Sequence, residues 1–456
     1  MKGDCTIGLI GLAVMGQNLV LNLLDHDNKV AVYNRTAQVT DDFVGEAKHD
    51  NLVGTHSLEQ FVQSLARPRK IILMVKAGDP VDAVINDLKP LLEDGDILID
   101  GGNSLFTDSQ RRSDDLTPQG IHFVGCGISG GQDGARFGPS MMPGGDESAW
   151  SALKPILQGI SAKTEAGEPC CEWMGNGGSG HFVKMVHNGI EYGDMQMIAE
   201  IYDLLRHSGR NNEAIASLFD TWNQGRLASY LVEITSDVLR IKDDDGSDWV
   251  DNIWDKAGQK GTGKWTAIQT LELGVPGSIV TEAVFARALS SRWEERQAVH
   301  EKYAKTTSIA GYQGLEDDAE AALYAAKLLA YAQGFTLLTE AAREYGWKLN
   351  MANIAQVWKA GCIIRAKALD PIQSVFQAEP DLDNLMLSDF FVDELKGCEA
   401  ALRRLLVRAI EGGVPVPALS NALAYYDGVR SQRLPANLIQ GQRNFFGAHE
   451  YERLPG

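Results

Sequence analysis

The chain has 456 residues, 44% hydrophobic and 23% charged, the composition of an ordinary globular protein with room for two or three domains. Its 42 basic and 61 acidic side chains leave a formal charge of −19, which argues against nucleic acid or an anionic membrane as the main partner, while small anions can still be met by local clusters of cations. Cys5, Cys126, Cys170, Cys171, Cys362 and Cys398 show neither CxxC nor zinc-ligand spacing, which fits a reducing cytoplasm and no metal centre; no apolar run approaches the roughly 20 residues that span a bilayer.

Short apolar runs alternate with helical patterns through the first third: CTIGLIG (5–11), KVAVYNR (29–35), KIILMVKAG (70–78), DILIDGGN (96–103) and IHFVGCGIS (121–129). Several lack polar alternation, as strands covered on both faces do, and the order predicts a doubly wound parallel sheet. The opening TIGLIGLAVMG has only Lys2 as a basic leader, follows Asp4 and runs into Gln17-Asn18, so it reads as strand and turn rather than a signal peptide.

The first turn, Gly11-Leu12-Ala13-Val14-Met15-Gly16, is a GxAxxG dinucleotide fingerprint in its required place, after the first strand and at the start of the first helix. Gly11 serves the tight turn, Gly16 the close packing, and the helix N-terminus faces the pyrophosphate. The second strand ends at Asn34-Arg35-Thr36, where an NAD site usually carries a carboxylate for the ribose hydroxyls. Arg35 suits a 2′-phosphate instead, so NADP is the expected cofactor. Two further resemblances fail. GNGGSG (175–180) has His181-Phe182 where a P-loop needs Lys-Ser/Thr, and DDDGSD (243–248) would place Ile241 and Asn252 at the ends of a calcium loop.

From about residue 178 the strands stop and long amphipathic stretches follow, at 185–207, 318–346 and 398–412. Leu218-x3-Trp222-x2-Gly225 recurs as Ile354-x3-Trp358-x2-Gly361, which suits either an old helical duplication or coincidence. The predicted organisation is a Rossmann-like α/β domain over 1–178, an all-helical domain over 179–430 and a terminal tail over 431–456. That tail, with little apolar face of its own, is expected to be frayed or docked on a partner.

Inside the first long helix, VKMVHNGIEYGDMQ (183–196) sets Lys184, His187, Asn188, Glu191 and Tyr192 within an arc of about 140°. A stripe of proton donors and acceptors stands where a core face is expected.

Together GLAVMG, NRT, DGGNS, GISGG, HFVKMVHNGIEYGDMQ, AGQKGTGKWT, FARALSS and LPANLIQ…FGAH resemble, in order and over nearly the whole chain, the decarboxylating 6-phosphogluconate dehydrogenases. The resemblance implies oxidation of a phosphorylated sugar acid at C3 with NADP, then loss of carbon dioxide to give ribulose 5-phosphate, in the oxidative branch of the pentose phosphate pathway. It implies Lys184 as base and Glu191 as acid. His187 and Asn188 would hold hydroxyls, and Tyr192 would stand at the phosphate end. Ser129, Gly130, Gly131 and Asn103 would contact the sugar acid, and Val75, Lys76, Ala77 and Asn103 the cofactor. Lys260, Thr262 and Arg287 would take the phosphate. Arg443 and His449 would reach the neighbouring subunit's site in a homodimer. Family members commonly run further past the GAH segment than the seven residues present after His449, and 300–318 departs from the family wording, so no role is expected there. The competing expectations are a simpler β-hydroxyacid dehydrogenase acting on an unphosphorylated acid, and a non-catalytic NADP-binding protein.

Overall fold

The computed structural model describes residues 3–303 and 307–454. The start of the chain, part of the 300–318 region and the last two residues of the tail fall outside them. Seven strands form one sheet: β1 (Ile7–Ile10), β2 (Val30–Tyr33), β3 (Leu52–Thr55), β4 (Lys70–Leu73), β5 (Ile97–Asp100), β6 (His122–Ser129) and β7 (Ser140–Gly145). The order is β3-β2-β1-β4-β5-β6-β7. The first six strands are parallel, with Ile7 opposite Val30 and Gly8 opposite Ile71, and β7 runs antiparallel to β6 with Gly127 opposite Met142. Separate apolar clusters cover the two faces, one around Leu19, Leu23 and Leu153, the other around Phe61, Val81 and Leu88. This is the doubly wound architecture expected from the uninterrupted apolar strands.

Five strands were legible as apolar runs; β3 and β7 were not. Leu52-Val-Gly-Thr has two apolar side chains, and Ser140–Gly145 holds a proline and two glycines, which ordinarily mark turns. Pairing to β2 and β6 makes them strands.

The remainder is helical among the described residues. The site helix, Ser179–His207, is 29 residues long and nearly enclosed from Ser179 to Ile190. It packs against a second long helix, Leu315–Tyr345, and the backbones approach closely at Gly334, where a Cβ would lie 2.5 Å from Ile190 Cδ1. A buried ion pair crosses the same interface, with Lys327 Nζ 2.8 and 2.6 Å from the two oxygens of Asp194. A lysine with both charge and hydrogen bonds answered can be buried without a large net penalty.

Each long helix is followed by a matching pair, Asn212–Asn223 with Tyr230–Arg240 and Met351–Val357 with Leu369–Ala378. Trp222 lies in the last turn of Asn212–Asn223, and Trp358 directly follows Met351–Val357. The pairs meet at an antiparallel bridge in which Tyr230 N donates to Arg365 O and Lys367 N to Ala228 O. The repeated tryptophan spacing thus falls in two helix pairs that touch each other, which leaves duplication and coincidence both open.

Within the tail, Ala436–Gly447 forms a helix with no buried residue, and residues 448–454 belong to no helix or strand. Leu438, Ile439, Phe445 and Phe446 are all exposed, Phe445 at 95%. This corrects the expectation of little apolar face, because helical winding brings separated residues into a common patch.

Candidate active site

The C-terminal ends of β1, β2, β4, β5 and β6 open on one side of the sheet, and β1 stands between β2 and β4, where the winding reverses. Clefts at such switch points are the usual ligand sites of open parallel sheets. Gly11 has φ +104°, and a Cβ there would lie 2.5 Å from Met74 O and 3.2 Å from Val75 Cγ1. The turn is thus pressed against the loop carrying Val75, Lys76 and Ala77. Gly16 is equally constrained: its Cβ would stand 2.0 Å from Gly11 O. The following helix, Val14–Asp25, has no acidic residue in its first turn and no side-chain cap. Its amide end, with Leu12, Ala13, Val14 and Met15 around it, is therefore free to face an anion.

Asn34 turns inward: its Oδ1 accepts from Leu12 N at 3.2 Å and its Nδ2 donates to Thr36 O at 3.3 Å. It shapes the turn, and Arg35 beside it is exposed. A dinucleotide with a 2′-phosphate fits this combination of glycine turn, open helix end and arginine.

Across the cleft, the site helix presents the polar stripe. Lys184 is buried, and its Nζ donates to Asn188 Oδ1 at 2.7 Å. His187 Nδ1 lies 2.9 Å from the same oxygen, and its Nε2 lies 3.2 Å from Ser129 Oγ. The amide oxygen therefore takes a proton from Nδ1 and leaves Nε2 to accept the serine hydroxyl. Asn188 Nδ2 donates to Thr262 Oγ1 at 2.8 Å, tying the stripe to the helix Thr262–Glu272. Glu191 Oε2 is 3.8 Å from His187 Nδ1.

Burial is the largest electrostatic influence on all three titrating groups. It lowers the Lys184 ammonium below the usual lysine range, against the pull of Glu191. It pushes the Glu191 carboxyl up, opposed by the charges of Lys184 and Arg287. Burial, then the Lys184 charge, holds His187 well below ordinary histidine and so neutral. A lysine nearer deprotonation and a carboxyl nearer protonation on one helix face are matched to proton removal and proton delivery at different atoms.

Tyr192 is buried with Arg287 stacked over its ring, 3.6 Å from centroid to guanidinium carbon. Arg287 also donates to Gly258 O at 2.9 Å, leaving the guanidinium oriented beside the stripe. Gly130 has φ +118°, and a Cβ would lie 2.5 Å from Gly361 O; Gly131 follows at φ +64° with open space around it. Lys260 and Asn103 are both exposed, Asn103 in the middle of the loop after β5 and Lys260 shortly before the helix Thr262–Glu272.

The single chain does not bring Arg443 and His449 to this cleft. Arg443 donates to Gln440 on its own helix, and His449 packs against Phe446.

The matches with known proteins decide the family. The pattern of the NAD binding domain of 6-phosphogluconate dehydrogenase covers residues 6–175, and that of the 6-phosphogluconate dehydrogenase C-terminal domain covers 180–456. The chain belongs to the 6-phosphogluconate dehydrogenase family. The decarboxylating 6-phosphogluconate dehydrogenase of Schizosaccharomyces pombe is 54% identical over 100% of this chain and 93% of its own length. That of Candida albicans is 53% identical over 100% of this chain and 89% of its own. A Plasmodium falciparum 6-phosphogluconate dehydrogenase, solved apo, with NADP+ and with 6-phosphogluconate, superposes with a TM-score of 0.96. It is 42% identical and the match covers 99% of this chain and 98% of that one.

Several family-site neighbours were not found by reading the sequence. Gly127 leaves space for the stem of Lys184, and Gly263 for Tyr192, whose ring carbon would lie 2.3 Å from an added Cβ. Ser109, His181, Asp100 and Arg112 brace the loop of Asn103. Their partners lie too far along the chain for spacing to reveal them, although His181 lies inside a stretch already singled out.

Proposed function

We propose that the chain oxidises 6-phosphogluconate with NADP and releases carbon dioxide, forming ribulose 5-phosphate. The observation that carries this reading is the enclosed Lys184–His187–Asn188–Glu191 stripe, held against Ser129 and Thr262 in a chain that matches the family from end to end. The first domain, residues 1–178, would hold NADP through Gly11–Gly16, Asn34–Thr36, Val75–Ala77 and Asn103. The helical domain, 179–430, would supply most of the sugar-acid site.

NADP held in that cleft by the glycine turn and Arg35 would supply the acceptor for the hydride that leaves C3. Neutral Lys184 removes the C3 hydroxyl proton as the carbonyl forms. The resulting ammonium then hydrogen-bonds the carbonyl oxygen and stabilises negative charge there while the C–C bond to the carboxylate breaks. The β-keto group takes the electron pair, giving an enediol and carbon dioxide. Protonated Glu191 delivers a proton to the carbon that lost the carboxylate. His187 and Asn188 orient hydroxyls between the two, with Ser129, Gly130 and Gly131 at the carboxylate.

Lys260, Thr262 and Arg287 would receive the phosphate, joined by Arg443 and His449 from a second copy in a homodimer. The exposed patch of Leu438, Ile439, Phe445 and Phe446 on the tail helix supports that assembly, since such a patch is costly in water. A reading as a dehydrogenase of unphosphorylated acids leaves Lys260 and Arg287 without a role. The buried free cysteines suit a cytoplasmic location.

The deciding experiment incubates the purified chain with NADP and 6-phosphogluconate and follows NADPH absorbance and carbon dioxide together. Equal yields, abolished in Lys184→Met, are expected. NADPH without carbon dioxide would overturn the decarboxylating reading, and no NADPH would overturn the substrate.

A further inference from the structure

His181 occupies the first turn of the site helix, three residues before Lys184, and is fully enclosed. Its Nδ1 lies 2.6 Å from Ser109 Oγ and its Nε2 lies 3.0 Å from the carbonyl oxygen of Gly102. A carbonyl only accepts, so Nε2 carries the proton. Burial lowers the ring's pKa and keeps it neutral, so Nδ1 accepts from the Ser109 hydroxyl. Both nitrogens are thereby occupied, and neither is left for chemistry on a substrate. The ring fills a slot beside β6, where a Cβ on Gly125 would lie 2.7 Å from Nδ1.

Gly102 immediately precedes Asn103. The same loop is held from the sheet side: Gly102 N donates to Asp100 Oδ1 at 3.0 Å, and Ser104 Oγ donates to Asp100 Oδ2 at 2.6 Å. Arg112 Nη1 reaches that second oxygen at 3.1 Å, and Arg112 Nη2 reaches Gly78 O, also at 3.1 Å, in the loop after β4. These bonds fix the loop to the first domain. The His181–Gly102 bond alone, within this set, fixes it to the helix that bears Lys184.

We propose that His181 is a positioning residue that sets the spacing between the Asn103 loop and Lys184, and so the alignment of the C3 hydride with the nicotinamide. The inference rests on the reading of Lys184 as the base and of Asn103 as a residue lining both ligands. Misplacement of reacting groups by about 1 Å can cost on the order of a hundredfold in rate. A histidine that only filled space would affect stability and leave the hydride step alone.

The test compares full-length wild type, His181→Leu, His181→Gln and Ser109→Ala with NADP and 6-phosphogluconate carrying protium or deuterium at C3. Leucine removes both bonds, glutamine retains a donor and an acceptor, and alanine at 109 removes only the donor to Nδ1. His181→Leu is expected to lower kcat about tenfold to a hundredfold. The KM for NADP should stay within about threefold, because the glycine turn and Arg35 are untouched. The deuterium isotope effect on kcat should rise above that of wild type, with partial recovery in His181→Gln and a smaller change in Ser109→Ala. If the leucine variant does not fold, the other two carry the comparison. Folded variants with wild-type kcat and isotope effect would overturn the inference and leave the proposed function standing. A wild type that reduces no NADP would overturn that function, and this inference with it.

Discussion

Gly127 on β6 makes room for Lys184 on the site helix: a Cβ on Gly127 would stand 2.3 Å from Lys184 Cβ and 2.8 Å from its Cγ. The lysine stem passes against β6 in a gap that only glycine leaves. Gly127→Ala should push the lysine stem or the helix aside, at a stability cost of about 1–3 kcal/mol from overpacking. The expected kinetic result is a kcat reduced about tenfold or more with NADP affinity retained. Wild-type kcat in this variant would show that the close approach is not needed.

Glu191 must be protonated to act as an acid, so activity should fall as rising pH ionises it. Burial moves that loss to higher pH than an ordinary glutamate would give. Lys184 must be neutral, so activity should also fall as falling pH protonates it, and burial moves that loss to lower pH. In Glu191→Gln the decline on the alkaline side of the kcat profile should disappear, and kcat should drop by about a hundredfold or more. A retained alkaline decline would assign it to another group.

Arg35 is exposed beside the turn that Asn34 ties to Leu12. Arg35→Ala should weaken NADP binding by about tenfold to a hundredfold, the range for a lost charge-assisted bond, and change NAD binding little. Calorimetric titration with both cofactors separates the cases, since equal losses would place Arg35 away from the 2′-phosphate.

Glu200, farther along the site helix, accepts from Ala418 N at 2.8 Å and Leu419 N at 2.9 Å at the start of the helix Pro417–Val429. Burial pushes its carboxyl from the ordinary 4.5 up to about 7, with the Glu282 charge adding to the rise. The folded chain therefore binds more protons here than the unfolded chain between those values. Stability from this group is fully present below 4.5 and lost as pH rises through about 7, a change of about 3 kcal/mol. Glu200→Gln should gain stability relative to wild type across that window in urea unfolding. A difference that does not vary with pH would refute the assignment.

Among the described residues, Arg443 pairs with Gln440 and His449 packs against Phe446, both within the tail, which makes sharing of sites between subunits testable. Subunits carrying Lys184→Met and Arg443→Ala should each be nearly inactive alone. Co-expressed, they should regain activity, because one of the two sites in each mixed dimer has its own lysine and its partner's arginine. Random pairing predicts about a quarter of wild-type activity. No recovery would mean that each chain completes its own site.

By itself, the sequence determined what depends on neighbours along the chain. The glycine turn after β1, the arginine after β2 and the 3.6-residue spacing of Lys184, Asn188 and Glu191 are local relations, fixed by φ/ψ preference and helical geometry. The tertiary structure alone decided what depends on distant approach. It made strands of Leu52–Thr55 and Ser140–Gly145 by pairing them. It set Ser129 against His187, Thr262 against Asn188 and Arg287 over Tyr192. It also buried much of the stripe, and desolvation, which no local spacing encodes, shifts its lysine and glutamate towards their neutral forms, the states that the proposed base and acid require.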